Sequence, residues 1–206
     1  MISCATDGAG VWTLTIDRPD KAGSLTRAML TELADLAQAA QEARVMILTG
    51  TGKVFSAGMD LQDARTGLPV DPVWERLSGA IAELPGLTIA ALNGTVAGGA
   101  MGMVLACDLR VAVPGTAFFY PVMKRGFLPQ PSDPGRLAGL IGPARARMIL
   151  MAGEKVGTET ALDWGLIDRI CAPEDLMASA RSLAADTLEA TADHAAAIKA
   201  LCRGAP

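Results

Sequence analysis

Short apolar runs alternate along this chain with longer stretches in which apolar residues recur every three or four positions. Val11-Trp12-Thr13-Leu14-Thr15-Ile16 alternates and is rich in β-branched residues, which predicts a strand. Met29, Leu30, Leu33, Leu36, Ala37 and Ala40 then fall at helical spacing, with Ser24 as the expected N-cap and Arg44 as the end. Residues 45–49 form a short apolar run typical of a buried strand, and 88–92 and 109–113 read as two more strands of the same kind. Residues 73–84 and 98–106 predict helices, residues 54–56 a short extension, and the Gly- and Pro-containing stretch 66–72 a loop. Beyond Pro129, Pro131 and Pro134, helices are predicted over 136–141, 144–151, 159–164 and 175–188. The alanine-rich stretch 184–200 also reads as helix. Strands that alternate with helices indicate an α/β fold.

Composition narrows the chemistry. The 206 residues fit one domain, and half of them are hydrophobic while only 4% are aromatic. The core must therefore be built from Ala, Leu, Val, Ile and Met packed around many glycines. A net charge of −4 opposes a basic nucleic-acid surface, and the high apolar content opposes disorder. The single histidine, His194, makes a His-rich metal site or a Ser-His-Asp triad hard to assemble, and no metal is expected. Cys4, Cys107, Cys171 and Cys202 form no CxxC pair. With no secretory pattern at Met1-Ile-Ser-Cys4, they read as free thiols of a cytoplasmic protein.

Residues 87–107 carry no charge and contain two overlapping GxxxG patterns, so they imitate a membrane span. Asn93-Gly94 in the middle is a turn signal, and Asp108 and Arg110 follow at once without a basic flank. A buried strand, a turn and a buried helix are the better reading, with no membrane partner. Gly50-Thr51-Gly52-Lys53 fails the phosphate-loop pattern at positions 47 and 54. No Gly-x-Ser-x-Gly elbow is present.

Two glycine-containing turns remain, each after a predicted strand: Phe55-Ser56-Ala57-Gly58-Met59-Asp60-Leu61 and Asn93-Gly94-Thr95-Val96-Ala97-Gly98-Gly99. The second opens a helix, whose first N–H groups have no partner in the helix. Glycine lets backbone approach a ligand oxygen closely. If the two turns converge, they offer two N–H donors to a carbonyl that becomes negatively charged, as an oxyanion hole requires.

These residues resemble the enoyl-CoA hydratase/isomerase (crotonase-like) superfamily. Ile16-Asp17-Arg18-Pro19-Asp20-Lys21 is similar to its "NRP-x-K" segment, and residues 47–61 to its "LTG-x-G-x-F-x-AG-x-DL" segment. Ile89-Ala90-Ala91-Leu92-Asn93-Gly94 through Gly98-Gly99 to Cys107-Asp108 is similar to "IAA-x-NG-x-x-x-GGG…CD", and residues 161–168 to a later "A-x-x-x-GLV" helix end. The resemblance implies a spiral of ββα units with a core at 1–172 and a shortened C-terminal helical region at 173–206. It implies a homotrimer or dimer of trimers acting on an acyl-CoA thioester, with no cofactor beyond the coenzyme A of the substrate. The backbone N–H groups of Met59 and Gly99 would form the oxyanion hole. Lys21, Ala22, Ser24, Ala57, Gly58, Asp60 and Gly98 would border the substrate, with the CoA moiety near residues 17–24.

The departures from the family pattern are specific. Hydratases of this family carry one glutamate three residues past the oxyanion glycine and another about twenty further on. Gly102 and Val122 occupy those positions here. Hydration needs one group to activate water and another to deliver a proton, and neither residue can do either. Asp133, between Pro131 and Pro134, is the leading substitute, its competing role being an N-cap for the helix over 136–141. Tyr120, the only tyrosine, is the second candidate, its competing role being packing against the acyl group. Two readings follow: an enzyme with a relocated acid/base acting on an enolate, or a catalytically degenerate acyl-CoA-binding or structural member.

Overall fold

The computed structural model describes residues 1–202. The first half of the chain forms β1 (Ile2–Thr6), β2 (Val11–Ile16), α1 (Arg27–Ala39), β3 (Val45–Gly50), β4 (Val54–Ser56) and α2 (Val73–Glu83). Then come β5 (Leu87–Leu92), β6 (Thr95–Ala97), α3 (Ala100–Ala106), β7 (Leu109–Ala112), β8 (Ala117–Phe119) and α4 (Val122–Arg125). The remainder is α5 (Asp133–Ile141), α6 (Pro143–Leu150), β9 (Val156–Gly157), α7 (Thr158–Trp164), β10 (Arg169–Ile170), α8 (Leu176–Leu183), α9 (Ala185–Glu189) and α10 (Ala192–Cys202).

Three consecutive units share one plan: a longer strand, a short strand, then a helix. The longer strands β3, β5 and β7 pair in parallel within a six-stranded sheet of order β1-β2-β3-β5-β7-β10. The short strands β4, β6 and β8 pair in parallel within a four-stranded sheet of order β4-β6-β8-β9. Each unit thus stacks on the one before it in both sheets, which makes the molecule a spiral of ββα units, as the family resemblance implied.

The longer strands are mostly apolar because both of their faces are covered, and the buried exceptions Thr49, Thr88 and Arg110 are hydrogen-bonded. Met46, Leu48, Ala90 and Leu92 face a core shared with α1, α2 and α3. Val45, Ile47, Ile89 and Ala91 alternate with them and face a second core closed by Leu176 and Ala180 of α8. The apolar segment 87–107 divides into β5, β6 and α3, and no helix among the described residues is long and apolar enough to cross a membrane.

Several boundaries differ from expectation. Ser24 is not the N-cap of α1; Thr26 is, accepting the Met29 N–H at 3.2 Å. Ser24 instead accepts the Arg18 guanidinium. Arg44 lies beyond the helix end, and its guanidinium donates to the Thr187 and Ala190 carbonyls at the far end of the chain. Strands β1, β6, β8, β9 and β10 carry no readable period, and all but β1 have four residues or fewer. The loop over 66–72 contains one turn of 3-10 helix at Leu68–Val70, and another at Asp63–Thr66 leads into it.

The loop before α1 lies directly on β4. Gly23 adopts φ +64, and a Cβ there would lie 2.4 Å from the Phe55 carbonyl oxygen. Backbone cannot yield as a side-chain tip can, so Gly23→Ala should destabilise the fold by about 2–4 kcal/mol, checked by denaturant unfolding.

Candidate active site

The site forms where the small sheet meets the loops that leave it. Leu25 and Met59 make an isolated parallel bridge. The Leu25 N–H donates to the Gly58 carbonyl at 2.8 Å, and the Leu25 carbonyl accepts the Asp60 N–H at 2.9 Å. Successive backbone groups of an extended chain point to opposite sides, so the Met59 N–H is directed away from Leu25. Met59 lines a cavity of about 470 Å³. Gly99 lines the same cavity, in the turn from β6 into α3. The Gly98 N–H ties that turn to the Phe119 carbonyl at 3.0 Å, and the Gly99 N–H is the next along the chain. Neither the Met59 nor the Gly99 N–H has an acceptor among the described residues.

The two glycine turns do converge. Gly58 has φ +87, and a Cβ there would lie 2.7 Å from the Ala97 carbonyl oxygen. Gly99 is covered from the other side by Trp74, whose ring would lie 3.1 Å from a Cβ at that position. The Trp74 indole is held by donating to the Leu68 carbonyl at 3.0 Å.

Of the residues expected at the substrate, Ala57, Met59, Gly98, Gly99, Tyr120 and Val122 line the cavity. Lys21, Ala22, Ser24, Gly58, Asp60, Gly102 and Asp133 are not on its wall. Most of these support it. The Ala22 carbonyl accepts the Ala57 N–H at 2.9 Å. Asp60 accepts the Gln62 N–H and the Arg18 guanidinium, at 2.9 and 2.7 Å, and these hold its carboxyl below the usual range. Arg18 also binds Ser24, so the loop over 18–24 is braced against the first glycine turn. Lys21 is exposed.

Asp133 is not the N-cap of α5. Ser132 holds that position, and Asp133 is the first helical residue, with only 1% of its surface exposed. Its carboxylate turns inward to Gly102. A Cβ on Gly102 would lie 2.8 Å from Oδ1 and 3.0 Å from Oδ2 of Asp133. The carboxylate thus fills the space that any side chain at position 102 would need. Oδ1 has no hydrogen-bond partner, whereas Oδ2 accepts the Tyr120 hydroxyl at 3.0 Å. Tyr120 is itself 5% exposed and brings its phenol to the cavity wall.

Burial dominates the electrostatics of this pair. It pushes the Asp133 carboxyl up to about 6, against the opposing pull of the Tyr120 hydroxyl and Arg136, with Glu75 adding to the rise. Burial, followed by the negative charge of Asp133, pushes the Tyr120 phenol up, so it remains a proton donor. Sequence reasoning found both members but missed what positions them. Glu75 of α2 accepts both the N–H and the hydroxyl of Ser132, which fixes the start of α5. Glu75 shows only as a polar residue on an amphipathic helix, so no local pattern announces this contact.

The sequence profile described as enoyl-CoA hydratase/isomerase matches residues 6–205. The chain is 30% identical to a 1,2-epoxyphenylacetyl-CoA isomerase of Escherichia coli over 187 residues, 85% of this chain and 71% of that protein. It is 34% identical to a carnitinyl-CoA dehydratase of Citrobacter koseri, over 92% of this chain and 76% of that one. Among solved structures, an enoyl-CoA hydratase from Bacillus anthracis superposes with a TM-score of 0.90 at 27% identity, covering 98% of this chain and 82% of that one.

Two outcomes test this geometry. Gly102→Ala should cost about 1–3 kcal/mol in the native background and little in an Asp133→Ala background, because the clash is with that carboxylate. A double-mutant cycle by denaturant unfolding measures the difference. The second outcome concerns pH. A carboxyl raised from about 4 to about 6 binds its proton more tightly in the folded chain than in the unfolded one. Its contribution is complete below about pH 4 and is lost as pH rises through about 6. Relative to Asp133→Asn, the native protein should lose about 2–3 kcal/mol of stability across that window.

Proposed function

Because the chain belongs to the enoyl-CoA hydratase/isomerase family, we propose that it shifts the double bond of an unsaturated acyl-CoA thioester. One observation carries the reading: a buried carboxyl–phenol pair stands behind the wall of the cavity that the two unpartnered N–H groups also line. The thioester oxygen sits between the Met59 and Gly99 N–H groups, which stabilise negative charge on it. With that charge stabilised, a proton leaves Cα of a β,γ-unsaturated acyl group and a dienolate forms. The Tyr120 oxygen takes the proton as its own hydroxyl proton passes to Asp133. The neutral Asp133 then returns a proton through Tyr120 to Cγ, which leaves the α,β-unsaturated thioester. Atoms balance without water, and the reaction uses no cofactor beyond the coenzyme A of the substrate.

A single acid–base pair suits this reaction and not hydration, which needs a second group to activate water. Gly102 and Val122 supply none. A carboxyl near 6 is also well matched to giving and taking one proton near neutrality. A second reading, an acyl-CoA-binding protein without turnover, is favoured by the apolar Val122 in the wall and by Asp133 lying one layer behind it.

The test is turnover of a β,γ-enoyl-CoA, followed by the appearance of the conjugated thioester. Asp133→Asn should lower kcat by about 10²–10⁴ while leaving acyl-CoA binding intact, and kcat should rise with pH through about 6. Tyr120→Phe should lower kcat in the same sense. Binding without any Cα exchange in deuterated water would establish the second reading. Rapid hydration of crotonyl-CoA would overturn the first.

A further inference from the structure

The cavity wall carries one full charge. Arg125 is the one Arg, Lys, Asp or Glu among its lining residues, whose other polar side chains are Trp74, Tyr120 and Gln130. Arg125 closes α4, one turn after Val122, which also lines the cavity. Residues at i and i+3 share a helix face, so the guanidinium extends along the wall from the position where the family's second glutamate is replaced. No carboxylate among the described residues lies within ion-pairing distance of it. The nearby cation Lys155 is differently engaged, stacked 5.4 Å over the Phe119 ring.

We infer that Arg125 selects acyl groups that end in a carboxylate: the substrate is the CoA thioester of a dicarboxylic acid, with its distal carboxylate on the Arg125 guanidinium. This rests on the reading of the cavity as an acyl-CoA site and adds the class of acyl group to it. The rest of the wall is almost wholly apolar, with Phe119, Phe127 and Leu128 on the same side of the chain as Arg125. A neutral acyl chain offers the solvent-exposed guanidinium no partner, whereas an ω-carboxylate gives it a planar two-oxygen one. The CoA moiety is not the partner assigned here. Its phosphates are expected near residues 17–24, and none of those lines the cavity.

The experiment compares two saturated, unreactive probes of equal chain length, adipyl-CoA and hexanoyl-CoA, by titration calorimetry on the full chain. Arg125 is exposed, so the ion pair is worth a modest factor. Adipyl-CoA should bind about fivefold more tightly at low salt, and the preference should shrink as ionic strength rises. Arg125→Gln should abolish the preference and Arg125→Glu should reverse it, with thermal unfolding confirming that both variants remain folded. Equal binding of the two probes by the native protein would overturn the inference and leave the acyl-CoA reading standing. So would an equal loss for both probes in Arg125→Gln, which would place a CoA phosphate on the guanidinium. Failure of both probes to bind would overturn the acyl-CoA reading itself, and the inference with it.

Discussion

The structure depends on how little room separates β4 from its neighbours. On one side the loop before α1 reaches the Phe55 carbonyl through Gly23; on the other, the turn after β4 reaches the Ala97 carbonyl through Gly58. Both glycines have positive φ, and at both a Cβ would run into backbone. Such an approach brings main chain directly against main chain, and the Ser56 hydroxyl pins it by donating to the Gly23 carbonyl and accepting the Gly58 N–H. It is therefore well suited to presenting main-chain donors. The Met59 N–H is directed outward because Leu25 bonds to the groups on either side of it. The Gly99 N–H follows a residue anchored to β8. Main-chain donors held this way are preorganised, which is what stabilising a developing negative charge requires.

The second half of the site is a substitution in space. Where the family places a glutamate at position 102, this chain has glycine, and the carboxylate arrives from α5 through Asp133. The two changes require each other. A side chain at 102 would displace Asp133, and Asp133 without the vacancy at 102 would have nowhere to go. The consequence is a carboxyl buried more deeply than a group on the wall would be, with one oxygen unpartnered and one bonded to Tyr120. Ionisation is disfavoured there because water cannot solvate the charge. The Tyr120 hydroxyl, which the same burial keeps protonated, is the one group hydrogen-bonded to that carboxyl that also lines the cavity.

Much of the scaffold was legible in the sequence because it obeys local rules. Residues 45–48 and 89–92 are apolar at every position since both faces of the large sheet are covered, and α1 and α2 carry clear helical stripes. The small sheet was not legible. Its strands have two or three residues, too few to display a period of two, and their placement comes from stacking on the preceding unit. The two glycine turns could be read as donor turns, and Asp133 and Tyr120 could be singled out. That Asp133 and Tyr120 form one hydrogen-bonded unit could not, because thirteen residues and a proline-rich segment separate them. Asp133 also has the sequence context of an N-cap, and only the observed position of Ser132 separates the two roles. Ser24 shows the same ambiguity in reverse, since a serine before a helical stripe looks like a cap whether or not Thr26 performs that task.

One helix ties the two halves together. Trp74 and Glu75 are consecutive residues of α2, and each reaches a different part of the site. The Trp74 ring lies against Gly99, beside one oxyanion donor, while the Glu75 carboxylate accepts from Ser132, beside Asp133. Side chains one position apart diverge by about 100° around a helix, so a single turn can address two neighbouring elements, α3 and α5. The distance between the Gly99 turn and the start of α5 is therefore constrained by adjacent residues of one helix. Proton transfer tolerates little error in that distance, and a helix packed against its neighbours holds it more tightly than two independent loops would.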